Sequence, residues 1–432
     1  MVLFSLSRTF AHMMRKCFFI ALCWLLCCGV SRAQQFDDEG VAVCDELQES
    51  SDTLLLDSIV ENVALPWPQN VQARLDAILQ SRQFQSTQIG LQVYDLTADS
   101  VIYQYNERQQ MRPASTMKMI NAVTSLDKLG GSYQFKTRLS CTGTIDGGTL
   151  NGSVYCKGGM DPAFGADDLN TFVAYMKEMG IDTIRGNVYA DTSMKDTDKW
   201  GEGWCWDDDN PSLSPLLVDR KDNFLSRFVS QLRRANIVLT GDTLRGITPQ
   251  NARTLYTCSH TIEQILDRMM KKSDNLYAES MFYQLAAADG RKATAKLGRE
   301  QVNRLIQKMG LRTGNYYIAD GSGLSLYNYV SAELEVAFLR YAYQNSRIYA
   351  YLLPSLPIAG VDGTLSGRMR KTHAYNNVKA KTGTVTGVSS LTGYLTAANG
   401  HLICFSIINQ GQRKASTVRP YQDRICEALC AP

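Results

Sequence analysis

The sequence predicts an α/β (α+β) fold in which one antiparallel sheet draws strands from both ends of the chain, helices cover it, and a mixed α/β unit is inserted between. Three observations carry this. Alternating strand-like runs occur soon after Thr87 and again in the last third of the chain, and long helical patterns fill much of the interval. Between about residues 140 and 255 the periodicity switches repeatedly between strand and helix. The expected division is therefore 65–140 with 256–432 as one domain and 141–255 as the insert.

The first 33 residues are set apart. Arg8, Arg15 and Lys16 precede the apolar run from Cys17 to Val30, and Ser31 and Ala33 follow it. This is the pattern of a secretory signal peptide cut after Ala33, the run being shorter than the roughly 20 residues that span a bilayer; an uncleaved anchor is the alternative. The segment carries four of the 45 Lys and Arg and none of the 42 Asp and Glu, leaving 41 cations against 42 anions. A near-neutral chain offers no basic face for nucleic acid, so no nucleic-acid partner is expected.

Four of the 12 cysteines fall in the same segment, leaving Cys44, Cys141, Cys156, Cys205, Cys258, Cys404, Cys426 and Cys430. Cys141 and Cys156, flanking an expected hairpin, are the candidate disulfide pair. No Cys-x-x-Cys or clustered Cys/His spacing is present, so neither a metal site nor a cofactor is expected. Residues 34–64 read as a solvated N-terminal lead.

In order, IGLQVYDL (89–96) and VIYQYNE (101–107) predict a hairpin, and Pro113 ends it before a helix starting near Ser115, with apolar Met117, Ile120, Val123 and Leu126. Asp146-Gly147-Gly148 predicts a second hairpin, with helices near 167–179 and 222–235 completing the insert. Helices are expected over 261–272, 275–288, 294–309 and 331–344, three strands after residue 376, and a last helix near 417–429. With strands at both ends and helices between, a single helical layer against the sheet is the economical arrangement.

The chemistry lies in three separated motifs. Ser-x-x-Lys occurs twice on one expected helix, at Ser115–Lys118 and Ser125–Lys128. Residues three apart share a helix face, so hydroxyl and amine can touch. A serine becomes a nucleophile when a neighbouring lysine takes its proton, which requires an amine pKa brought down from about 10.4 by burial or a second cation. Ser115 sits at the helix start, where free N–H groups can stabilise an oxyanion, whereas Ser125 lies three turns in, where an exposed polar face is expected. Ser273-Asp274-Asn275 is the sole Ser-x-Asn of the chain and Lys381-Thr382-Gly383 its sole Lys-Thr/Ser-Gly. A helix cap would explain the first and an edge-strand lysine the second. In the order Ser-x-x-Lys, Ser-x-Asn, Lys-Thr-Gly they form the constellation of penicillin-binding proteins and serine β-lactamases.

Longer stretches narrow the resemblance. GGMDPAF (158–164), GWCWDDDNPSLSPL (203–216), DGSGLSLYN (320–328), LPIAGVDGTLSGRM (356–369) and VKAKTGTVTGVSSLTGYL (378–395) are similar to the D-alanyl-D-alanine carboxypeptidase/endopeptidase family of low-molecular-mass, class C penicillin-binding proteins, peptidase family S13. The resemblance implies a serine β-lactamase/transpeptidase-like fold and export to the periplasm. Peptidoglycan stem peptides would be the substrate and β-lactams covalent inhibitors. It further implies Ser115 as nucleophile, Lys118 as its base, Ser273 with Lys381 as proton relay, and Asn275 orienting Lys118 and the substrate amide. Thr382 and Gly383 would contact substrate, and the Ser115 and Thr384 N–H groups would form the oxyanion hole. Asp161 is a further candidate substrate contact from the insert. The family often continues DGSGLS with arginine; Leu326 stands there here, which leaves the preferred stem-peptide side chain open. Two other readings share the acylation machinery. One is a serine β-lactamase, with Glu300 the nearest candidate deacylating glutamate, and the other a slow-turnover penicillin-binding sensor.

Overall fold

The computed structural model describes residues 65–205, 208 and 210–432; the expected signal segment, the 34–64 lead and Cys44 lie outside the described residues. The main sheet has five antiparallel strands in the order Lys379–Val385, Val388–Thr396, Leu402–Gln410, Gln88–Asp95, Ser100–Tyr105. Both chain ends contribute, as the alternating runs predict. Its central strands are buried on both faces, because side chains alternate across a strand and each face meets its own core. Ile403, Phe405 and Ile407 join one cluster with the Gln69–Leu79 and Arg419–Cys430 helices. Cys404 and Ile408 join the other, with the Met117–Leu129, Asn275–Ala287 and Ala332–Gln344 helices. The single helical layer expected from the sequence is thus corrected to two, the second supplied partly by the Gln69–Leu79 helix. Each fully buried Ile or Phe here contributes roughly 1.5–3 kcal/mol.

The helix beginning at Met117 is buried continuously from Met117 to Leu126. Surrounded by other helices, it satisfies its polar side chains internally: Thr124 Oγ1 donates to the Ile120 carbonyl (2.7 Å) and Asn121 Nδ2 to that of Ala278 (2.8 Å). The exposed face expected around Ser125 is therefore incorrect. Ser125 is buried and its hydroxyl reaches only Asn121 Oδ1, at 3.4 Å.

A second five-stranded sheet runs in the order Thr243–Arg245, Val188–Asp191, Val154–Lys157, Gln134–Cys141, Arg253–Thr261, with parallel pairing at one end and antiparallel at the other. Helices Ala166–Glu178 and Phe224–Arg234 enclose its core around Leu139, Val154, Phe172, Val188 and Phe228. A hairpin turns at Gly147 and Gly148, whose φ values of 50° and 80° suit a two-residue primed turn. The sheet reaches past both edges of the expected 141–255 segment. Within it Cys156 stands opposite Leu139 and Cys141 opposite Val154, so the two cysteines are diagonal neighbours rather than a facing pair. Both thiols are free, which corrects the expected disulfide. Among the described residues no helix is long and apolar enough to cross a membrane.

Candidate active site

Ser115 lies in a single 3₁₀ turn, Ala114–Thr116, that opens into the Met117–Leu129 helix. Ala114 has a left-handed φ of 50°, a conformation that costs an L-residue on the order of 1–3 kcal/mol and persists only where neighbours enforce it. They do so from two directions. Ser390 Oγ donates to the Pro113 carbonyl (2.5 Å), and Thr116 Oγ1 lies 2.5 Å from Oε1 of the buried Glu335. Two glycines then let neighbouring backbone close on the turn. A Cβ on Gly383 would lie 2.1 Å from Ser390 Oγ and 2.9 Å from the Ser115 nitrogen. One on Gly323 would lie 1.8 Å from the Ala114 carbonyl oxygen.

Lys118, one turn further on, is fully buried. Its Nζ meets Ser115 Oγ at 2.9 Å, Asn275 Oδ1 at 2.8 Å and the Ser322 carbonyl at 2.7 Å. Burial brings its pKa down to about 8, against the pull of Asp320, Glu279 and Asp274 in the other direction. The partner set decides what the free amine can do. Asn275 Oδ1 and the Ser322 carbonyl can only accept, so they engage its two N–H bonds, and the lone pair is left facing Ser115 Oγ, whose proton it can take.

Lys381, on the edge strand Lys379–Val385, is equally buried, and its Nζ donates to Ser273 Oγ (2.9 Å) and the Thr382 carbonyl (2.7 Å). Burial, reinforced by the nearby Lys118, lowers its pKa well below that of an ordinary lysine. Ser273 turns the chain between two helices with a φ of 56°. The helix-cap reading holds for its neighbour: Asp274 accepts from the Leu276 N–H (3.1 Å) and is held by Arg220 and Arg268 at 2.6 and 2.9 Å. Ser273 itself is left to meet Lys381.

Several residues of the site were not singled out by motif reasoning. Glu279 Oε1 accepts from the Gly321 and Ser322 N–H groups (3.1 and 2.8 Å), fixing the carbonyl that receives Lys118. Asp320 accepts from Gly323 N, Ser325 N and Asn328 Nδ2, and Trp204 Nε1 reaches it at 2.8 Å. Asn210 Oδ1 accepts from Asn275 Nδ2 at 3.3 Å, so the 203–216 and 320–328 stretches both converge here. Trp204, Asn210 and Asp320 lie in stretches already singled out by the family resemblance, whereas Glu279 showed in the sequence only as an acidic residue on an otherwise apolar helix.

The remaining expected residues divide. Thr384 is exposed on the edge strand, and by strand alternation its N–H points the same way as that of Ala380, which bonds outward to the Pro357 carbonyl. Thr382 Oγ1 reaches Thr364 Oγ1 at 2.8 Å. Asp161 corrects the expectation of a substrate contact: its side chain is wholly buried, with Oδ1 accepting from Ala163 N and Oδ2 lying 2.7 Å from His260 Nδ1. A Gly/Asp/Pro turn, capped and locked inside, is what the motif builds. Glu300 pairs with Arg291 at 3.6 Å on the surface.

Comparison with known proteins agrees with this geometry. The chain is 28% identical over 407 residues, 74% of its length and 85% of the relative's, to the D-alanyl-D-alanine carboxypeptidase DacB of Haemophilus influenzae. It is 26% identical to the D-alanyl-D-alanine carboxypeptidase of Actinomadura sp. strain R39, covering 78% of this chain and 80% of that one. The crystal structure of penicillin binding protein 4 from H. influenzae superposes with a TM-score of 0.75 at 26% identity, over 82% of this chain and 98% of the other. A second crystal structure of that protein carries a bound β-lactam and superposes with a TM-score of 0.69. The profile of the D-Ala-D-Ala carboxypeptidase 3 (S13) family matches residues 71–220 and 213–429, and the chain belongs to that family.

Proposed function

We propose that the protein is a serine DD-peptidase that cleaves the D-Ala-D-Ala end or D-Ala cross-links of peptidoglycan stem peptides through an acyl-enzyme on Ser115. The observation that carries this reading is the pairing of two buried lysines with two serines in one site: Lys118 with Ser115 and Lys381 with Ser273, each at 2.9 Å. Lys118, as free amine, takes the Ser115 proton while Oγ attacks the penultimate D-alanine carbonyl. The oxyanion is met by the Ser115 and Thr384 N–H groups, both beside the scissile carbonyl's expected position. Collapse breaks the C–N bond, and the leaving amine takes a proton relayed by Ser273 and Lys381. Water then hydrolyses the ester with Lys118 again as base, restoring Ser115. Asn275 orients Lys118, and Thr382 with Gly383 lines the strand edge against which the peptide lies.

β-Lactams, which present a strained amide to the same serine, acylate it; the β-lactam complex of the H. influenzae protein supports this. We assign an inserted domain spanning the expected residues 141–255 and completed by its flanking strands Gln134–Cys141 and Arg253–Thr261, and residues 1–33 as a signal peptide that delivers the enzyme to the periplasm. Neither metal nor cofactor enters the reaction. The test is labelling of the mature protein with a fluorescent penicillin, beside assays on a pentapeptide and a cross-linked muropeptide. Wild type and Ser125→Ala are labelled and Ser115→Ala is not; labelling that survives Ser115→Ala sinks the assignment. Release of D-alanine marks carboxypeptidase action, and loss of dimeric muropeptide marks endopeptidase action.

A further inference from the structure

Away from the Ser115 site, the strand Arg253–Thr261 and the first turn of the Ala166–Glu178 helix bring together a second set of reactive side chains. Cys258 and His260 are two apart on the strand and so share a face. Asp168 reaches them from the helix, and three ligand atoms, the Cys258 Sγ, a His260 ring nitrogen and an Asp168 carboxylate oxygen, lie within 4.8 Å of one another. The sequence shows only Cys-x-His; the third group arrives from 90 residues upstream.

We propose that Asp168, Cys258 and His260 bind a divalent transition-metal ion, zinc above all, as a structural site. The histidine is prepared for it. Asp161 Oδ2, 2.7 Å from His260 Nδ1 and fully buried, can only accept when ionised, so it fixes the proton on Nδ1 and leaves the Nε2 lone pair for the metal. Nε2 stands 4.0 Å from Asp168 Oδ2, beyond hydrogen-bond reach, while Cys258 Sγ donates to Asp168 Oδ1 at 3.0 Å. A tetrahedral zinc with its usual bond lengths sets its ligand atoms roughly 3.3–3.7 Å apart, so with Asp168 Oδ1 as the carboxylate ligand the 3.0 Å contact to Cys258 Sγ opens slightly and the group, all within 4.8 Å, closes round the ion. One thiolate, one imidazole and one carboxylate form a borderline-soft set that favours zinc over calcium or magnesium. Asp168 and His260 are partly exposed, which gives the ion an entry path and leaves the fourth position to water.

Binding replaces the Cys258 thiol proton, which is released to solvent, by the metal–sulfur bond. The other carboxylate oxygen, Asp168 Oδ2, keeps the helix-capping bond it accepts from Gly165 N (2.9 Å). The ion would thereby tie the start of that helix to the strand that continues through the Ile262–Lys271 helix to Ser273. Its contribution is to stability and not to the acyl transfer, since none of its ligands touches the Ser115 group.

The test titrates the chelator-stripped mature protein with Co²⁺ and then Zn²⁺. A 1:1 complex with a thiolate-to-cobalt charge-transfer band, bleached by zinc, is expected. The band is lost in Cys258→Ser and kept in Cys205→Ser, both checked for folding by circular dichroism. Zinc at a hundredfold excess over its dissociation constant should raise the melting temperature of wild type by about 5 °C. Should Cys258→Ser not fold, alkylation of wild type decides instead: zinc must protect Cys258 from iodoacetamide. Absence of the band in wild type, its survival in Cys258→Ser, or equal alkylation with and without zinc overturns the site.

Discussion

One helix carries the same tetrapeptide spacing twice, and the two copies do different things. At the first, Ser115 and Lys118 meet at 2.9 Å inside a ring of acceptors supplied by Asn275 and Ser322. At the second, ten residues on, Ser125 turns into the core while Lys128 turns out to Asp289 at 2.7 Å. Spacing puts hydroxyl and amine on one face in both cases. What separates them is whether other elements enclose the amine and leave its lone pair pointing at the serine. Lys118 is surrounded by the Asn275 helix and the 320–323 loop, whereas Lys128 reaches out to pair with Asp289 at the surface.

The largest break of this contrast is removal of the amine. Lys118→Met keeps the length and apolar stem but leaves nothing to take the Ser115 proton, and general-base loss is worth about 10²–10⁴ in rate. The second-order rate of penicillin labelling should fall about a thousandfold, while Lys128→Met should leave it within a factor of two. Equal losses in the two variants would mean that position on the helix, and not enclosure, sets the chemistry.

A smaller effect is expected from the strand that encloses the first copy. Gly383→Ala places a methyl 2.1 Å from Ser390 Oγ and 2.9 Å from the Ser115 nitrogen, so the strand must retreat from the nucleophile. A displacement near 1 Å in a catalytic assembly costs on the order of a hundredfold. Labelling should slow by about that factor with the melting temperature nearly kept; an unaffected rate would show that the close approach of the strand is not needed.

How far the sequence discloses this site depends on what kind of contact carries each part. Ser115, Lys118, Ser273, Asn275 and Lys381 were legible because their chemistry demands particular residue types in local motifs, and the strands and most helices because hydrophobic period is local too. The Ser322 carbonyl that receives Lys118 was not, since any residue has a carbonyl and only the fold brings this one across 204 positions. Glu335, which braces the turn through Thr116, Thr392 and Ser406, is hidden for the same reason: each contact lies on a different element. Asp161 shows the reverse failure. A polar residue in a conspicuous motif suggested a surface role, but His260, distant in sequence, makes it interior.

The finest test of enclosure is its electrostatics. Lys118 acts as a free amine, and its pKa near 8 means that the labelling rate should climb with pH and level off above about 8, falling roughly tenfold for each unit below. Burial lowers that value while Asp320, Glu279 and Asp274 hold it up. Glu279 is itself pushed up to about 8, first by burial and then by Asp320, so the two groups titrate together. Glu279→Gln keeps an oxygen for the Gly321 and Ser322 N–H groups but removes one of the charges that favour the ammonium. With less to stabilise its protonated form, Lys118 should lose its proton at lower pH. The midpoint of the rate profile should therefore move down, with the gain confined to the region near and above pH 8 where wild-type Glu279 carries its charge, the rate at pH 7 nearly unchanged and the alkaline plateau where it was. A midpoint that stays or rises would show that Glu279 acts on Lys118 only by holding the Ser322 carbonyl in place.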